Sequence, residues 1–287
     1  MASQSKTQLL NSIHTLLKRR YKPKGDRNVP KLSVLNAVVY GICHEDTTRE
    51  HANQALSRFN DEFFDWNEIR VSSVDEIQKT LAGVPEPETR AQRIRRFLRQ
   101  LFNRTYGFTL DMLAKKPLKE ALKVLRTYDA FQSDYVTATV IQHALGGHAI
   151  PVDKPGQRAL QRLGISEPEV HALRAVLERA VPKNRGAEFL DLIEDLTNDT
   201  CVEGEPACAR CELRKICTFA LNRKTEPRPN ARHGSGHAVK EAVKTAKGSK
   251  AAEHPAARAA DKKSPTKPAK PAPRADKSRG DKRHGTK

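Results

Sequence analysis

Apolar residues recur at helical spacing along most of the chain up to about residue 221, and the alternating runs of strands are missing. Gln8 to Lys18 reads as a short amphipathic helix. Leu32 to Cys43 is apolar over one wide face, which predicts a buried helix. Pro87 precedes a long basic helix, Glu88 to Asn103, with Ile94, Phe97, Leu98 and Leu101 on one side. Pro117 opens another, to about Tyr128. Asp134 to Leu145 follows and is stopped by Gly146-Gly147. Phe189, Leu190, Leu192, Ile193 and Leu196 mark a last long helix. Thr47 with Glu50, Ser73 with Glu76 and Ser166 with Glu169 have the spacing of capping boxes. The pattern predicts an all-α architecture of about ten helices.

Composition changes the picture at the C-terminus. Beyond Leu221, apolar residues other than Ala and Val nearly vanish, and residues 222–287 hold 19 Lys plus Arg against 6 Asp plus Glu, +13 of the chain's +18. Such a segment buries too little apolar surface to offset chain entropy, so residues 225–287 are expected to be a disordered basic tail. Within it, Lys262-Lys263-Ser264-Pro265-Thr266-Lys267-Pro268-Ala269-Lys270 reads as a phosphate-binding Lys/Ala/Pro arm, with a merely solubilising extension as the alternative. The remainder is mildly basic, which favours nucleic acid as partner, ahead of an anionic membrane surface. No apolar run approaches the roughly 20 residues of a membrane span, and the N-terminus lacks a signal-peptide core. The expectation is a cytoplasmic, nucleoid-associated protein that works as a monomer.

Four of the five cysteines lie close together as Cys201-x6-Cys208-x2-Cys211-x5-Cys217. In a reducing compartment such a group more often binds metal than forms disulfides. Four thiolates suit zinc or an iron–sulfur cluster, and thiolate chemistry alone permits both. The 6-2-5 spacing, after an amphipathic helix and near the end of the folded region, resembles the C-terminal cluster loop of endonuclease III and its DNA glycosylase relatives. That resemblance implies a [4Fe–4S] cluster on Cys201, Cys208, Cys211 and Cys217. It also implies a DNA-facing loop in which Arg210, Arg214 and Lys215 contact phosphates.

The resemblance continues upstream in Tyr135 to Asp153, YVTATVIQHALGGHAIPVD. Ala144-Leu145-Gly146 and Ile150-Pro151-Val152-Asp153 match the end of the family's helix-hairpin-helix and its catalytic aspartate, so Asp153 takes that role by resemblance, and Arg158 matches a basic position on the next helix, which the resemblance implies is DNA-binding. A fixed carboxylate suits the cationic sugar that forms as an N-glycosidic bond breaks. An Asp after an apolar run is, on its own, equally a helix cap.

Two positions depart from the family. Bifunctional members carry a Schiff-base lysine 18 residues before the aspartate, where this chain has Tyr135. This resembles monofunctional, mismatch-specific members. The family's Gly-x-Gly hairpin holds a phosphate with backbone N–H groups; here Ala130-Phe131-Gln132-Ser133-Asp134 has no glycine and gains an acid, which leaves Gln132 and Ser133 as the DNA-contacting residues of a degenerate hairpin. Farther upstream, Val38 to Asp46 resembles a lesion-pocket segment. Cys43 falls on a glutamine that fills the gap left by the flipped base, though a small buried hydrophobe suits it better. Asp46 keeps the family acid, and His44 lies near the lesion pocket or on the surface.

The expected architecture is the two-lobed helix-hairpin-helix DNA glycosylase fold. Residues 1–28 and 149–224 would form a discontinuous iron–sulfur lobe and residues 29–148 a helical barrel lobe, with double-stranded DNA in the cleft between them. The expected activity is removal of a damaged or mismatched base by base flipping and Asp153-assisted hydrolysis beside Tyr135. The alternatives are a non-catalytic iron–sulfur DNA-binding protein on the same fold, and a residual abasic-site lyase.

Overall fold

The computed structural model describes residues 5–21 and 31–225, which fall within one compact unit. The lobe boundary expected at 28/29 and the basic tail beyond residue 225 lie outside the described residues. Twelve α-helices and no strand occur among the described residues: α1 (Lys6–Arg20), α2 (Val34–His44), α3 (Arg49–Glu62), α4 (Trp66–Val71), α5 (Val74–Thr80), α6 (Pro87–Thr105), α7 (Leu118–Leu125), α8 (Asp134–His143), α9 (Lys154–Arg162), α10 (Val170–Ala180), α11 (Lys183–Asp199) and α12 (Thr218–Thr225). Four 3-10 segments join them, at Asp111–Lys115, Asp129–Gln132, Cys208–Arg210 and Glu212–Lys215. The all-α expectation holds, with more helices than the periodicity predicts. The additions include α4, too short to display a full turn-on-turn pattern, whereas α5, equally short, is announced by its capping box alone.

Local chemistry sets the boundaries. Ser73 and Glu76 form the capping box at the head of α5, each side chain serving the other's backbone N–H. The box expected at Thr47 slides by one residue: Thr48 caps α3, its hydroxyl accepting from His51 N at 3.3 Å. No box forms at Ser166. The chain reaches α10 through Glu169, whose side chain makes no cap bond. Gly146 adopts a left-handed φ of 62° just after α8, a conformation that glycine takes without strain, and α8 ends where the doublet predicts.

Buried apolar side chains form two main clusters. One gathers α2 to α8 around Val38, Ile42, Phe59, Ile94, Phe97 and Val136. The other joins α1 to α9–α12 through Leu10, Ile13, Leu17, Leu160, Leu177, Phe189 and Leu213. α2 is the central helix of the first cluster, with Val38, Val39, Ile42 and Cys43 fully buried. Gly41 lets it approach α8, since a Cβ there would stand 3.3 Å from the Val136 Cα. Arg90, buried in α6, closes the C-terminal end of α2: its guanidinium donates to the carbonyls of Ile42 and Glu45, and its Nε donates to Pro85 O at 2.6 Å. A buried cation is tolerable here because carbonyls at a helix C-terminus carry partial negative charge and lack intrahelical donors.

Candidate active site

A cleft of about 770 Å³ opens where the two clusters meet. Its walls include Tyr40 and His44 from α2, Tyr135 and His143 from α8, Asp153 and Gly156 at the head of α9, and Glu194 from α11. Each of these helices is anchored on its apolar face, so the polar groups are carried by rigid supports.

Asp153 is the N-cap of α9. Its backbone is extended, and Oδ1 accepts from Gly156 N at 2.8 Å. Lys154 and Pro155 fill the first helical positions, where the missing proline N–H costs nothing. The cap reading of this aspartate is therefore met, but a cap usually sits in solvent and this one lines the cleft. Burial pushes its carboxyl up to about 6; Asp46 and Glu194 push the same way, against the Gly156 N–H and His44. A helix N-terminus normally steadies an anion, so here desolvation prevails over the helix.

Tyr135 is buried, and its hydroxyl lies 3.0 Å from His44 Nδ1. Burial, then the nearby Asp153, raises the phenol well above its ordinary value, which keeps it protonated. His44 Nε2 lies 3.2 Å from Glu194 Oε2, and Glu194 Oε1 accepts from Arg49 N at 2.9 Å. Burial alone would raise Glu194, but His44, the Arg49 N–H and the Arg49 guanidinium hold it below the usual carboxylate range. Arg49 also pairs with Asp191. His44 thus faces the cleft and not bulk solvent. On its other side, Tyr40 packs at 5.1 Å between ring centroids, and His143 packs on Tyr40 at 5.4 Å. Burial, then His44, lowers His143 to about 4, and its Nδ1 is buried without a partner.

Beside the cleft mouth, Asp46 adopts a left-handed φ of 58° and receives Lys154 twice, from its backbone N at 2.9 Å and its Nζ at 2.8 Å. Cys43 lies wholly in the core, where burial pushes its thiol up to about 12; it is a hydrophobe and does not reach the cleft.

The glycine-free hairpin has a definite shape. Asp129–Gln132 is a 3-10 turn with Ala130 and Phe131 buried in the α2–α8 cluster. Ser133 caps α8, accepting from Val136 N at 3.2 Å and donating to Glu45 Oε1 at 2.8 Å. Glu45 in turn pairs with Arg93 at 2.7 Å. Gln132 is exposed, whereas Ser133 is half-buried with its hydroxyl engaged. Asp134 faces Arg174 at 3.7 Å.

The four cysteines 201, 208, 211 and 217 line one small pocket, closed by Leu163, Leu196, Leu213, Phe219 and Ala220. None is in a disulfide. Among the described residues no group of three or more Cys, His, Asp or Glu converges on a single ion. The sulfurs surround a space and do not meet at one point. Burial raises the Cys211 and Cys217 thiols, and the sulfurs of Cys201 and Cys208 raise them further. Arg162 lies against the ring, with its guanidinium 3.6 Å from Cys201 Sγ and donating to Val202 O at 2.7 Å. Arg158 turns the same way, donating to Cys201 O at 3.5 Å. Arg210 donates to Asp199 O at 2.6 Å, Arg214 to Ala209 O at 3.3 Å, and Lys215 is exposed.

No protein-family model and no curated protein sequence matches the chain. Solved structures do. A non-covalent endonuclease III–DNA complex superposes with a TM-score of 0.61 at 14% identity, covering 78% of this chain and all of that one. A thermostable thymine-DNA glycosylase gives 0.53 at 19%, covering 74% and 95%. The 3-methyladenine DNA glycosylase of H. pylori, bound to 1,N6-ethenoadenine, gives 0.53 at 13%, covering 70% and all of that chain. The fold is that of the helix-hairpin-helix DNA glycosylases. The degree of identity carries the fold alone. Of the residues singled out in the sequence, the structure brings Tyr135 and Asp153 to the wall of one cleft and the four cysteines to one pocket. Sequence reasoning passed over Glu194, whose only signal was a carboxylate on the cleft-facing side of the helix before the cysteines.

Proposed function

We propose that this chain is a monofunctional DNA N-glycosylase that binds double-stranded DNA across the cleft, flips out a damaged or mismatched base and hydrolyses its glycosidic bond. The observation that carries this is Asp153: a carboxylate anchored at a helix cap, largely desolvated, on the wall of a cleft between two rigid clusters. Fold, cap and cleft together favour this reading over a passive DNA-binding protein.

Hydrolysis of an N-glycosidic bond develops positive charge on the sugar. The Asp153 carboxylate, already oriented by Gly156 N, stabilises that charge and receives a proton from the attacking water. Desolvation increases the strength of this interaction. The neutral Tyr135 phenol beside it has no amine to form a Schiff base. Lys154 is the nearest amine in sequence, but its Nζ is held by Asp46 at 2.8 Å, which raises it above its ordinary value and keeps it protonated. This disfavours the lyase reading.

The residues 201, 208, 211 and 217 would hold a [4Fe–4S] cluster, whose four irons each take one thiolate; the ring of thiols around an apolar pocket fits that group. When bound, the cluster supplies structural closure of this loop. Arg158 and Arg162 brace the loop from α9; the exposed Arg210, Arg214 and Lys215 would contact phosphates, Arg210 in exchange for its ion pair with Asp199 at 3.1 Å. Gln132 would meet the DNA backbone at the hairpin turn. The glycine-free turn favours one rival, a non-catalytic iron–sulfur DNA-binding protein with a weakened hairpin grip.

The test uses duplexes bearing uracil, oxidised pyrimidines, and G·T or A·oxoG mismatches, with products divided and half treated with alkali. Strand breaks seen only after alkali establish monofunctional base release. Breaks without alkali support a lyase. Salt-sensitive binding with no base release on any duplex favours the non-catalytic protein.

A further inference from the structure

Outside the cleft, one face of α6 carries cations and aromatic rings in a single row. Arg95, Arg99 and Phe102 recur at i, i+4 and i+7, and Tyr106 follows at the helix end. None of the four lines the cleft. Two groups flank the Phe102 ring. The Arg70 guanidinium of α4 stands 4.3 Å from its centroid, and Phe108 stacks on it at 5.5 Å. Tyr106 meets Phe102 edge-on at 6.2 Å and is 83% exposed.

The charges on this face are uncompensated. In the neighbouring row the arginines are paired, Arg93 with Glu45 at 2.7 Å and Arg96 with Asp129 at 3.5 Å. Arg95 and Arg99 have no carboxylate partner among the described residues, and Arg95 Nε is buried with no acceptor. Arg70 donates to the neutral Asn67 Oδ1, at 2.8 and 3.1 Å. The carboxylates of the two helices are engaged elsewhere: Glu88, two turns before Arg95, accepts from Gln92 at 3.1 Å, and Glu68 accepts from Phe64 N.

Tyr106 is also strained. Its φ of 51° is left-handed, a conformation that glycine takes freely and tyrosine does not, yet the glycine stands one residue later, at 107. A ring this exposed adds little to the core, so the fold keeps the strain without a packing return.

The geometry points to a binding surface for single-stranded nucleic acid on α4 and α6, separate from the cleft. A base stacks on Tyr106, and Arg70, Arg95 and Arg99 hold the phosphates beside it. A polyanion suits unpaired arginines and a base suits an open π-face; an acidic peptide matches the charge alone. The row from Arg95 to Tyr106 is about 16 Å long at the helical rise, room for a short single-stranded segment. This surface does not depend on base release in the cleft.

The test measures binding of the full chain to an oligothymidylate of about ten nucleotides and to an abasic oligomer of equal length and charge. The cleft and the basic C-terminal residues add phosphate affinity to both oligomers, so the difference between them reports stacking. Wild-type protein is expected to bind the oligothymidylate about tenfold more tightly than the abasic oligomer. Tyr106→Gly is expected to abolish that difference while raising Tm by about 2–4 °C as the strain is relieved. Tyr106→Phe is expected to keep the preference. Arg99→Gln is expected to weaken both oligomers alike and to flatten the log–log salt dependence by about 0.7, one phosphate contact on a single strand. Equal binding of the two oligomers by wild-type protein, or an undiminished preference in Tyr106→Gly, overturns the inference and leaves the patch to a protein partner. A lowered Tm in Tyr106→Gly also overturns it, because the ring would then be kept for packing.

Discussion

The cleft and the cysteine loop are both polar sites set in apolar clusters, but they are satisfied in different ways. In the cleft nearly every polar group has a protein partner: Tyr135 has His44, His44 has Glu194, Glu194 has Arg49, and Asp153 has Gly156 N. That network rests on long helices and holds itself together. The loop from residue 201 to 217 has two short 3-10 turns, and its four thiols line a pocket whose other walls are mostly apolar. One site is preorganised by the fold; on the proposed reading the other would be completed by a cluster held on those thiols.

The largest way to separate them is Cys208→Ser. Loss of one ligand is expected to destabilise the second cluster by at least about 5 kcal/mol, the scale of a lost structural metal centre. Amide exchange should rise around Leu213, Ala220 and the facing α1 residues Leu10, Ile13 and Leu17, while α2 and α8 stay protected. Equal loss of protection in both clusters would show that they unfold as one. Next comes Arg90→Ala on the cleft side, which strips the carbonyls of Ile42, Glu45 and Pro85 of their buried donor. It is expected to cost about 3 kcal/mol in denaturant unfolding without altering the visible absorption of any cluster.

Acid titration sharpens the contrast further. His143 is lowered from 6.5 to about 4 by burial, so its contribution falls as pH drops through that window, because the unfolded chain takes up the proton first. Asp153 is raised from 3.8 to about 6, so the native state binds its proton first and stability instead rises as pH falls from about 6 to 3.8. The two slopes oppose each other between about pH 4 and 6. His143→Gln is expected to gain about 1–3 kcal/mol at pH 4.5 relative to wild type, and nothing at pH 8. The smallest expected stability change is at Gly156→Ala. A Cβ there would stand 2.8 Å from Asp153 Oδ1, so the carboxyl must shift. Base release is expected to fall about tenfold for a cost in stability of only about 1 kcal/mol.

The sequence made some of this legible and hid the rest for physical reasons. Long helices such as α2, α6 and α11 declare themselves because one apolar face repeats over several turns. α4 and α5 are too short for that, and the cap at Thr48 differs from Thr47 only in which hydroxyl faces the His51 N–H. Cys43 was readable as a core residue because its neighbours are apolar on one face. Ser133 was not readable as a cap engaged with Glu45, 88 residues away. The Tyr135–His44–Glu194 chain spans 150 residues between its last two members, and no local spacing encodes it.

The central claim is that the fold keeps Asp153 desolvated for chemistry, at a cost to stability. Asp153→Asn tests it most directly, because asparagine caps a helix as well as aspartate does and removes only the charge. Base release and denaturant unfolding would be measured on the same protein at pH 7.5. The account predicts that base release falls by at least about 100-fold while stability rises by about 1–3 kcal/mol, a gain that shrinks as pH falls from 6 toward 4. Unchanged base release, or a variant less stable than wild type at pH 7.5, would contradict it.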